Sequence, residues 1–297
     1  MKKRNLLSIR ELSSDEIEEL MKLTEELKKG KKVLEGKTLA MIFERPSTRT
    51  RVSFEVAMTQ LGGHAIYIDL GGSQLSRGES MADTARALSQ YVDVALARVY
   101  KHEELEEFAK YASMPVINGL SDKEHPCQAL GDLVTIRQKG KKKGKVAIVG
   151  DPEASVASSL MLACAKAGME VTAVCPRGYA PKEEYLEETR KSGTDVHVVH
   201  EILDGVADAD VIYAASWKPG EESEKEERSK AFLPFQLNSK VMGKAGKDCI
   251  VMHALPARRG VEITSDVLDS KNSVVWEQAA NRLHVQKAIL AWLLKQK

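Results

Sequence analysis

What most constrains the fold of this chain is a repeated alternation of short, continuous apolar runs with helix-periodic segments. After a polar break at Lys139-Gly140-Lys141-Lys142-Lys143-Gly144, the pattern reads strand (Val146 to Val149), turn (Gly150 to Ala154), helix (Val156 to Ala167) and strand (Glu170 to Cys175). Unbroken apolar strands suit parallel sheets buried on both faces, and a strand–helix–strand succession implies a right-handed crossover. Further strands are expected at Val211-Ile212-Tyr213-Ala214-Ala215 and from Cys249 to Met252. The first half shows the same signature at Leu39 to Phe43, Ala65 to Leu70, Val94 to Val99 and Pro115 to Gly119. A length of 297 residues accommodates two α/β domains of about 140 residues each. The expected fold class is therefore α/β, with two doubly wound parallel-sheet domains. Their bounds are residues 1–138 and 144–277, and a C-terminal helix over 278–297 returns to the first. That helix places Val285, Ile289, Trp292 and Leu293 on one face, and Arg282 lies just before this apolar set.

The segment Phe43 to Glu55 carries the strongest chemical signal. Pro46 and Ser47 end the strand, and Phe54, Ala57, Met58 and Leu61 recur at helical spacing, so a helix starts near Ser47 or Thr48. Its first N–H groups, its dipole, the hydroxyls of Ser47, Thr48 and Thr50, and the guanidiniums of Arg49 and Arg51 would together hold a phosphate. On these residues alone, an ordinary Ser/Thr cap beside solvated arginines explains the pattern equally well. Ser13 to Glu16 reads as the cap of an earlier helix with Ile17, Leu20, Met21 and Leu27 on its packed face.

Other chemistry-bearing residues lie at predicted strand ends. Arg98 interrupts the buried run Val94 to Val99, and a buried arginine needs a partner or a ligand; an exposed strand end is the alternative. His125 and Gln128 sit three apart around Pro126 at the mouth of a helix, so both can donate to one oxygen. Gly150-Asp151-Pro152-Glu153 lacks the glycines of a dinucleotide fingerprint, which argues against NAD. Ser216-Trp217-Lys218-Pro219-Gly220 follows one strand and His253-Ala254-Leu255-Pro256 another, where open α/β sheets place ligands. Glu221 to Arg228 is highly charged and reads as a solvated helix.

Ser47-Thr48-Arg49-Thr50-Arg51 resembles the S-T-R-T-R phosphate loop of the carbamoyltransferases, and the likeness extends over nearly the whole chain. It continues through Gly62-Gly63-His64-Ala65, Gln74 to Glu79, His125-Pro126-Cys127-Gln128, His253 to Pro256 and Asn281-Arg282-Leu283-His284. Gln74, in place of the loop lysine of aspartate carbamoyltransferases, and Cys127, in place of threonine, favour the ornithine branch. The resemblance implies a reaction without metal or cofactor that moves the carbamoyl group of carbamoyl phosphate to the δ-amine of ornithine, in arginine metabolism. It implies that Ser47, Thr48, Arg49, Thr50, Gln74, Arg98, His125, Gln128, Ala254, Leu255 and Arg282 bind carbamoyl phosphate. Arg49, Arg98, His125 and Gln128 would be catalytic, and Gln74 would act on a neighbouring subunit of a trimer or a multiple of trimers.

The acceptor side departs from the pattern. Where the ornithine enzymes usually carry D-G-N-N, D-V-W-x-S-M-G and H-C-L-P, this chain has Asp151-Pro152-Glu153-Ala154, Ala215-Ser216-Trp217-Lys218-Pro219-Gly220 and His253-Ala254-Leu255-Pro256. The expected acceptor residues are Asp151, Asp210, Ser216, Trp217 and Leu255, with Arg258, Arg259 or Lys218 available to a carboxylate. N-acetyl- or N-succinylornithine, or another ornithine-like amine, is the alternative acceptor. A non-catalytic carbamoyl-phosphate-binding homologue is a more distant alternative.

Composition sets the remaining bounds. A net charge of +1 gives no field that would draw nucleic acid or a membrane surface. Leu6, Leu7 and Ile9 are too few for a signal-peptide core, and no run reaches membrane-span length. Four widely spaced cysteines without a CxxC pair argue against a metal site or a disulfide framework. A cytoplasmic protein that binds small molecules is the expectation.

Overall fold

The structure, a computed structural model, describes residues 3–72, 77–217 and 225–295. By internal contacts the chain divides into two compact units, residues 1–131 with 280–297, and residues 132–279.

The first unit opens with α1 (Ser14–Leu27), whose N-terminus is closed by a reciprocal capping box between Ser13 and Glu16. Its buried face carries Ile17, Leu20, Met21, Leu23 and Leu27. There follow β1 (Thr38–Phe43), α2 (Thr48–Gln60), β2 (His64–Asp69), α3 (Met81–Leu88), β3 (Val94–Arg98), α4 (His102–Tyr111), β4 (Val116–Leu120) and α5 (Pro126–Gln138), the last of which starts in this unit and ends in the second. All strand pairs are parallel, in the order β2-β1-β3-β4. The two central strands are the ones that read as unbroken apolar runs, and Leu39 to Phe43 and Val94 to Ala97 are fully buried.

Residues ahead of α1 join this sheet. Leu6 N–H donates to the Val116 carbonyl and the Asn118 N–H to the Leu6 carbonyl, so the N-terminal segment adds a short parallel bridge outside β4. Leu6, Leu7 and Ile9 are core residues, as is Leu12.

The second unit contains β5 (Lys145–Gly150), α6 (Ser155–Lys166), β6 (Glu170–Val174), α7 (Glu183–Lys191), β7 (His197–Val199), α8 (Ile202–Gly205), β8 (Val211–Ala215), α9 (Lys225–Phe232), α10 (Ser239–Met242), β9 (Ile250–Met252) and α11 (Ser265–Leu268). Its sheet is also wholly parallel, in the order β7-β6-β5-β8-β9. Val149, Val174, Ile212, Ala214 and Val251 meet Phe235, Leu237 and Ile263 in its core.

The last helix, α12 (Val275–Leu293), starts in the second unit and ends in the first. Val285, Ile289 and Leu290 are buried there, and the buried Lys287 ammonium donates to the Lys28 carbonyl and to Gln60 Oε1. The C-terminal helix thus returns to the first unit. It begins at Val275, ahead of the expected residue 278, so Arg282 lies two turns inside it.

In each sheet the chain moves outward from its first strand on one side, then crosses to the other. The reversal falls between β1 and β3 in the first unit and between β5 and β8 in the second. Outside the carboxyl ends of the strands flanking such a reversal, loops diverge and leave a crevice.

Candidate active site

In the first unit the reversal point is occupied by the loop after β1 and by Arg98 at the end of β3. Phe43 and Arg98 are register partners, and the Glu44 N–H donates to the Arg98 carbonyl at 2.9 Å, which fixes where the loop departs. Ser47 then caps α2 in an extended conformation, accepting from the Thr50 N–H at 3.3 Å. The rest of the first turn is left with its donors facing the loop.

Three further elements bring side chains to this point. His125 immediately precedes α5, and its carbonyl accepts from the Gln128 and Ala129 N–H groups, which makes it the entry to that helix. From α12, Arg282 donates to Thr50 Oγ1 at 2.9 Å and to Gln128 Oε1 at 2.8 Å, tying α2, α5 and α12 together. Thr50, His125, Gln128 and Arg282 are all buried. Arg98 donates to the Gly119 carbonyl at 3.1 Å, while its Nε is buried with no hydrogen-bond partner among the described residues.

The electrostatics are those of a site short of negative charge. Burial, and then the like charges of Arg45, Arg282 and Arg49, push the Arg98 guanidinium down to about 10. Burial, followed by Arg282 and Arg98, drives the His125 imidazole well below its ordinary value, so it is neutral at pH 7. Burial lowers Arg49 as well. Each shift records a cost of holding positive charge here that a bound anion would relieve. A neutral imidazole can donate one hydrogen bond to a developing oxyanion.

The second unit places a different kind of cluster at its reversal point, where Gly150 of β5 pairs with Ala215 of β8. Gly150 has φ of 117°, and a Cβ there would lie 2.5 Å from the Ala215 carbonyl and 3.1 Å from Trp217 Nε1, so only glycine fits. Asp151 follows, fully buried. One carboxylate oxygen accepts from Arg228 at 2.8 Å and the other from the Glu153 N–H at 3.0 Å. Arg228 lies 4.8 Å from the Tyr179 ring centre and 5.3 Å from that of Phe232, and Phe232 packs against Trp217. The Trp217 indole N–H is buried with no acceptor among the described residues.

Beside it, His253 Nε2 is 3.1 Å from the buried Glu262 carboxylate and 3.5 Å from Ser216 Oγ. The Leu255 N–H donates to His253 Nδ1 at 2.8 Å, which puts the imidazole proton on Nε2. Burial alone would raise the Glu262 carboxyl, but the hydrogen bonds from His253 and the Arg258 N–H, with the Arg258 charge, hold it below its ordinary range. Leu255 has φ of 52° and precedes a cis proline.

The fold brings together Ser47, Thr48, Arg49, Thr50, Arg98, His125, Gln128 and Arg282 in the first unit, and Asp151, Ser216 and Trp217 in the second. Ala254 and Leu255 follow β9, the strand beside β8. Asp210 is not with the other acceptor candidates. It precedes β8 and bonds to the Lys145 N–H and the Lys141 ammonium at the opposite end of a five-residue strand, about 20 Å from Ser216. Arg258 pairs with Glu262, and Arg259 with Asp269 at 2.8 Å, so both guanidiniums are committed within the unit. Gln74 and Lys218 lie outside the described residues.

The stretch expected as a solvated helix over Glu221 to Arg228 is described from Lys225, and it runs on to Phe232. Its inward face supplies Arg228 and the fully buried Phe232, which the dense surrounding charge concealed. Arg45, stacked 4.9 Å over Tyr100 and raising the positive potential at Arg98, was also not anticipated. Its place one residue before Pro46 was the available signal.

Comparison with known proteins agrees with this arrangement. The aspartate/ornithine carbamoyltransferase carbamoyl-P binding domain matches residues 4–138, and the Asp/Orn binding domain of the same family matches residues 142–293. Ornithine carbamoyltransferase of Pyrococcus abyssi is 52% identical over 307 residues, covering 99% of this chain and 96% of that protein. The solved ornithine carbamoyltransferase of Pyrococcus furiosus superposes with a TM-score of 0.92 at 51% identity, covering 97% of this chain and 96% of that one. A solved N-acetyl-L-ornithine transcarbamylase superposes at 0.89 with 32% identity, covering 98% of this chain and 100% of that one. Two domain matches that together take in almost the whole sequence, on two parallel sheets with an arginine-rich loop at the first reversal point, make this chain a member of the aspartate/ornithine carbamoyltransferase family.

Proposed function

We propose that this enzyme transfers the carbamoyl group of carbamoyl phosphate to the δ-amine of ornithine, giving citrulline and inorganic phosphate. The observation that carries the donor half is the cationic cradle of the first unit, where the half-buried Arg98 lies among the charges of Arg45, Arg49 and Arg282. Carbamoyl phosphate would place its phosphate at the α2 N-terminus, against Arg49 and Arg98, with its carbonyl oxygen towards His125, Arg98 and Thr50. Gln128 is held ready by Arg282. The neutral amine attacks the carbonyl carbon, the C=O electrons move onto oxygen, and the donors around that oxygen stabilise the tetrahedral oxyanion. Collapse breaks the carbon–oxygen bond to phosphate, and the ammonium proton leaves with the products. Ala254 and Leu255 would orient the carbamoyl NH₂ through their carbonyls.

Ornithine is the first choice because relatives near 50% identity over nearly the whole chain carry that name. One of them is named anabolic, which favours a biosynthetic direction. One observation favours N-acylornithine as a second reading. Of the two carboxylates offered for a free α-ammonium, Asp151 is already bound to Arg228 and Asp210 lies at the wrong end of its strand.

The test is kcat/KM for ornithine, N-acetylornithine, N-succinylornithine and aspartate at saturating carbamoyl phosphate. A preference for an acylated compound above about tenfold, equivalent to 1.4 kcal/mol of discrimination, would replace ornithine. Turnover of aspartate alone would remove both readings.

We also take the active form to be a homotrimer or a multiple of it, in the cytoplasm. Val52 and Val56 on α2 and Ile66 on the edge strand β2 are exposed, an apolar surface that a second copy would cover. Four buried, free cysteines suit a reducing compartment. Light scattering that returned a monomer at assay concentration would remove the trimer.

A further inference from the structure

The pairing of β3 with β4 slips by one residue just where Arg98 leaves the sheet. Ala97 pairs with Asn118, but Arg98 pairs with Leu120, so Gly119 is the extra residue of a bulge. Bulges next to functional sites re-aim a side chain or a carbonyl, and here the Gly119 carbonyl turns onto the Arg98 guanidinium at 3.1 Å. The conformation has a cost. Leu120, a branched residue, is held at φ of 136°, where side chains other than glycine are strained.

Asn118 is the residue that holds it. Fully buried, it accepts from the Leu120 N–H through Oδ1 at 2.9 Å, and its Nδ2 donates to the Leu7 carbonyl at 2.8 Å and the Glu124 carbonyl at 3.2 Å. The amide orientation is fixed by this set, since an N–H and two carbonyls leave one consistent assignment. One hydrogen bond thus restrains the strained residue. The other two anchor Asn118 to the N-terminal segment and to the residue before His125.

We propose that Asn118 is a positioning residue of the donor site: it clamps the Gly119 bulge so that the Gly119 carbonyl aims Arg98 at the bound anion. The proposal rests on the donor-site reading above and adds a residue that touches no substrate. A role in general packing would lower stability and leave substrate affinities alone or weaken both together. A positioning role acts on the donor alone, and it can be replaced by relieving the strain at Leu120.

The test measures inorganic phosphate binding by calorimetry and steady-state KM values for both substrates in wild type, Asn118→Ala, Asn118→Ala/Leu120→Gly and Gly119→Ala. Phosphate affinity should fall about 10- to 100-fold in Asn118→Ala, the scale of one misdirected charge-assisted hydrogen bond, with KM for carbamoyl phosphate rising in step and KM for ornithine moving less than about twofold. Leu120→Gly should restore most of the loss, because glycine adopts the positive φ without the clamp. Gly119→Ala keeps Asn118 but puts a Cβ 3.2 Å from the Ala97 carbonyl and the Leu96 side chain, so it should show the same donor-specific loss and serves if Asn118→Ala does not fold. Unchanged phosphate affinity in either folded variant, equal loss for both substrates, or no rescue by Leu120→Gly overturns the proposal. A wild-type protein that neither binds phosphate nor consumes carbamoyl phosphate defeats the donor-site reading first, and is recognised before any variant is compared.

Discussion

The two units set the same topological position to opposite electrostatic uses. At the β1/β3 reversal, the charges acting on Arg98 are Arg45, Arg282 and Arg49, all positive, and the side chain is held ionised against both burial and repulsion. At the β5/β8 reversal the charges are matched within the unit: Asp151 with Arg228, Glu262, which also accepts from His253 Nε2, with Arg258, and Arg259 with Asp269. A site that stores repulsion is built for a ligand carrying the missing charge. A site already neutralised must recognise its ligand by shape and by individual hydrogen bonds, or by exchanging one internal partner for the ligand. The contrast explains why the donor is legible from charge alone, while the acceptor is not.

The comparison breaks most sharply under Arg98→Met. Removing a half-buried guanidinium and its charge-assisted bonds should cut kcat/KM for carbamoyl phosphate at least about 100-fold, since two such bonds are worth roughly 3 to 6 kcal/mol. Thermal stability should hold or rise, because the repulsion from three neighbouring arginines goes with it. A large fall in melting temperature with catalysis reduced less than about tenfold would show that the cluster is structural.

Asp151→Asn should do the reverse. It leaves the Arg228 guanidinium, with only 15% of its side chain exposed, facing a neutral amide, and breaking such a pair costs about 3 kcal/mol or more. Denaturant unfolding should show that loss while phosphate affinity stays at the wild-type level. Wild-type stability in this variant would mean that the second unit's charges are not the structural pairs described here.

How much of this was legible in the sequence depended on the kind of signal. The strands at Leu39, Val94, Val146 and Val211 declared themselves because a parallel strand covered on both faces has no polar alternation to confuse it. The three-residue β7 at His197 to Val199 is too short and too exposed to leave a pattern. Ser47 to Arg51 could be read because cap, helix start and cations are local in sequence. The bonds from Arg282 to Thr50 and Gln128 join residues 232 and 154 positions apart, and no local rule reaches that far. Asp210 misled because proximity in sequence to Ser216 was taken as proximity in space, whereas an intervening strand sends the two to opposite edges of the sheet. Arg228 was hidden by composition: one inward guanidinium among solvated charges looks like its neighbours.

A smaller effect is expected from pH. His125 is held below its ordinary value first by burial and then by Arg282 and Arg98, so between its folded and unfolded pKa the unfolded chain binds more protons. Stability is therefore full above about pH 6.5, the unfolded value, and falls as pH drops below it. His125→Asn should flatten part of this acid limb, measured as the unfolding midpoint in denaturant between pH 7 and pH 5. His102 and His284 shift the same way through burial, so a residual slope should remain. An unchanged slope would mean that His125 is not held neutral by its surroundings, and with it would go its assignment as a neutral donor to the carbonyl oxygen.

The finest test of the contrast is Trp217→Phe, because it removes one donor from the neutralised site and nothing else of comparable size. The indole N–H is buried without an acceptor among the described residues, a state that ordinarily costs about 1 to 3 kcal/mol, so its loss should leave stability equal or slightly higher. The ring itself packs 5.8 Å from Phe232, centre to centre, and phenylalanine can keep much of that contact. If the second unit recognises its ligand through single hydrogen bonds, this N–H is placed to be one of them. KM for the acceptor should then rise about 2- to 10-fold, the worth of one neutral bond, with KM for carbamoyl phosphate unchanged. The result also bears on the acceptor itself. An N–H donor serves a carboxylate or an acyl carbonyl but offers nothing to an α-ammonium. A larger loss for N-acetylornithine than for ornithine would place the acyl group at Trp217, and equal losses would place the shared carboxylate there. No change for either compound, with stability clearly reduced, would assign the indole to packing alone.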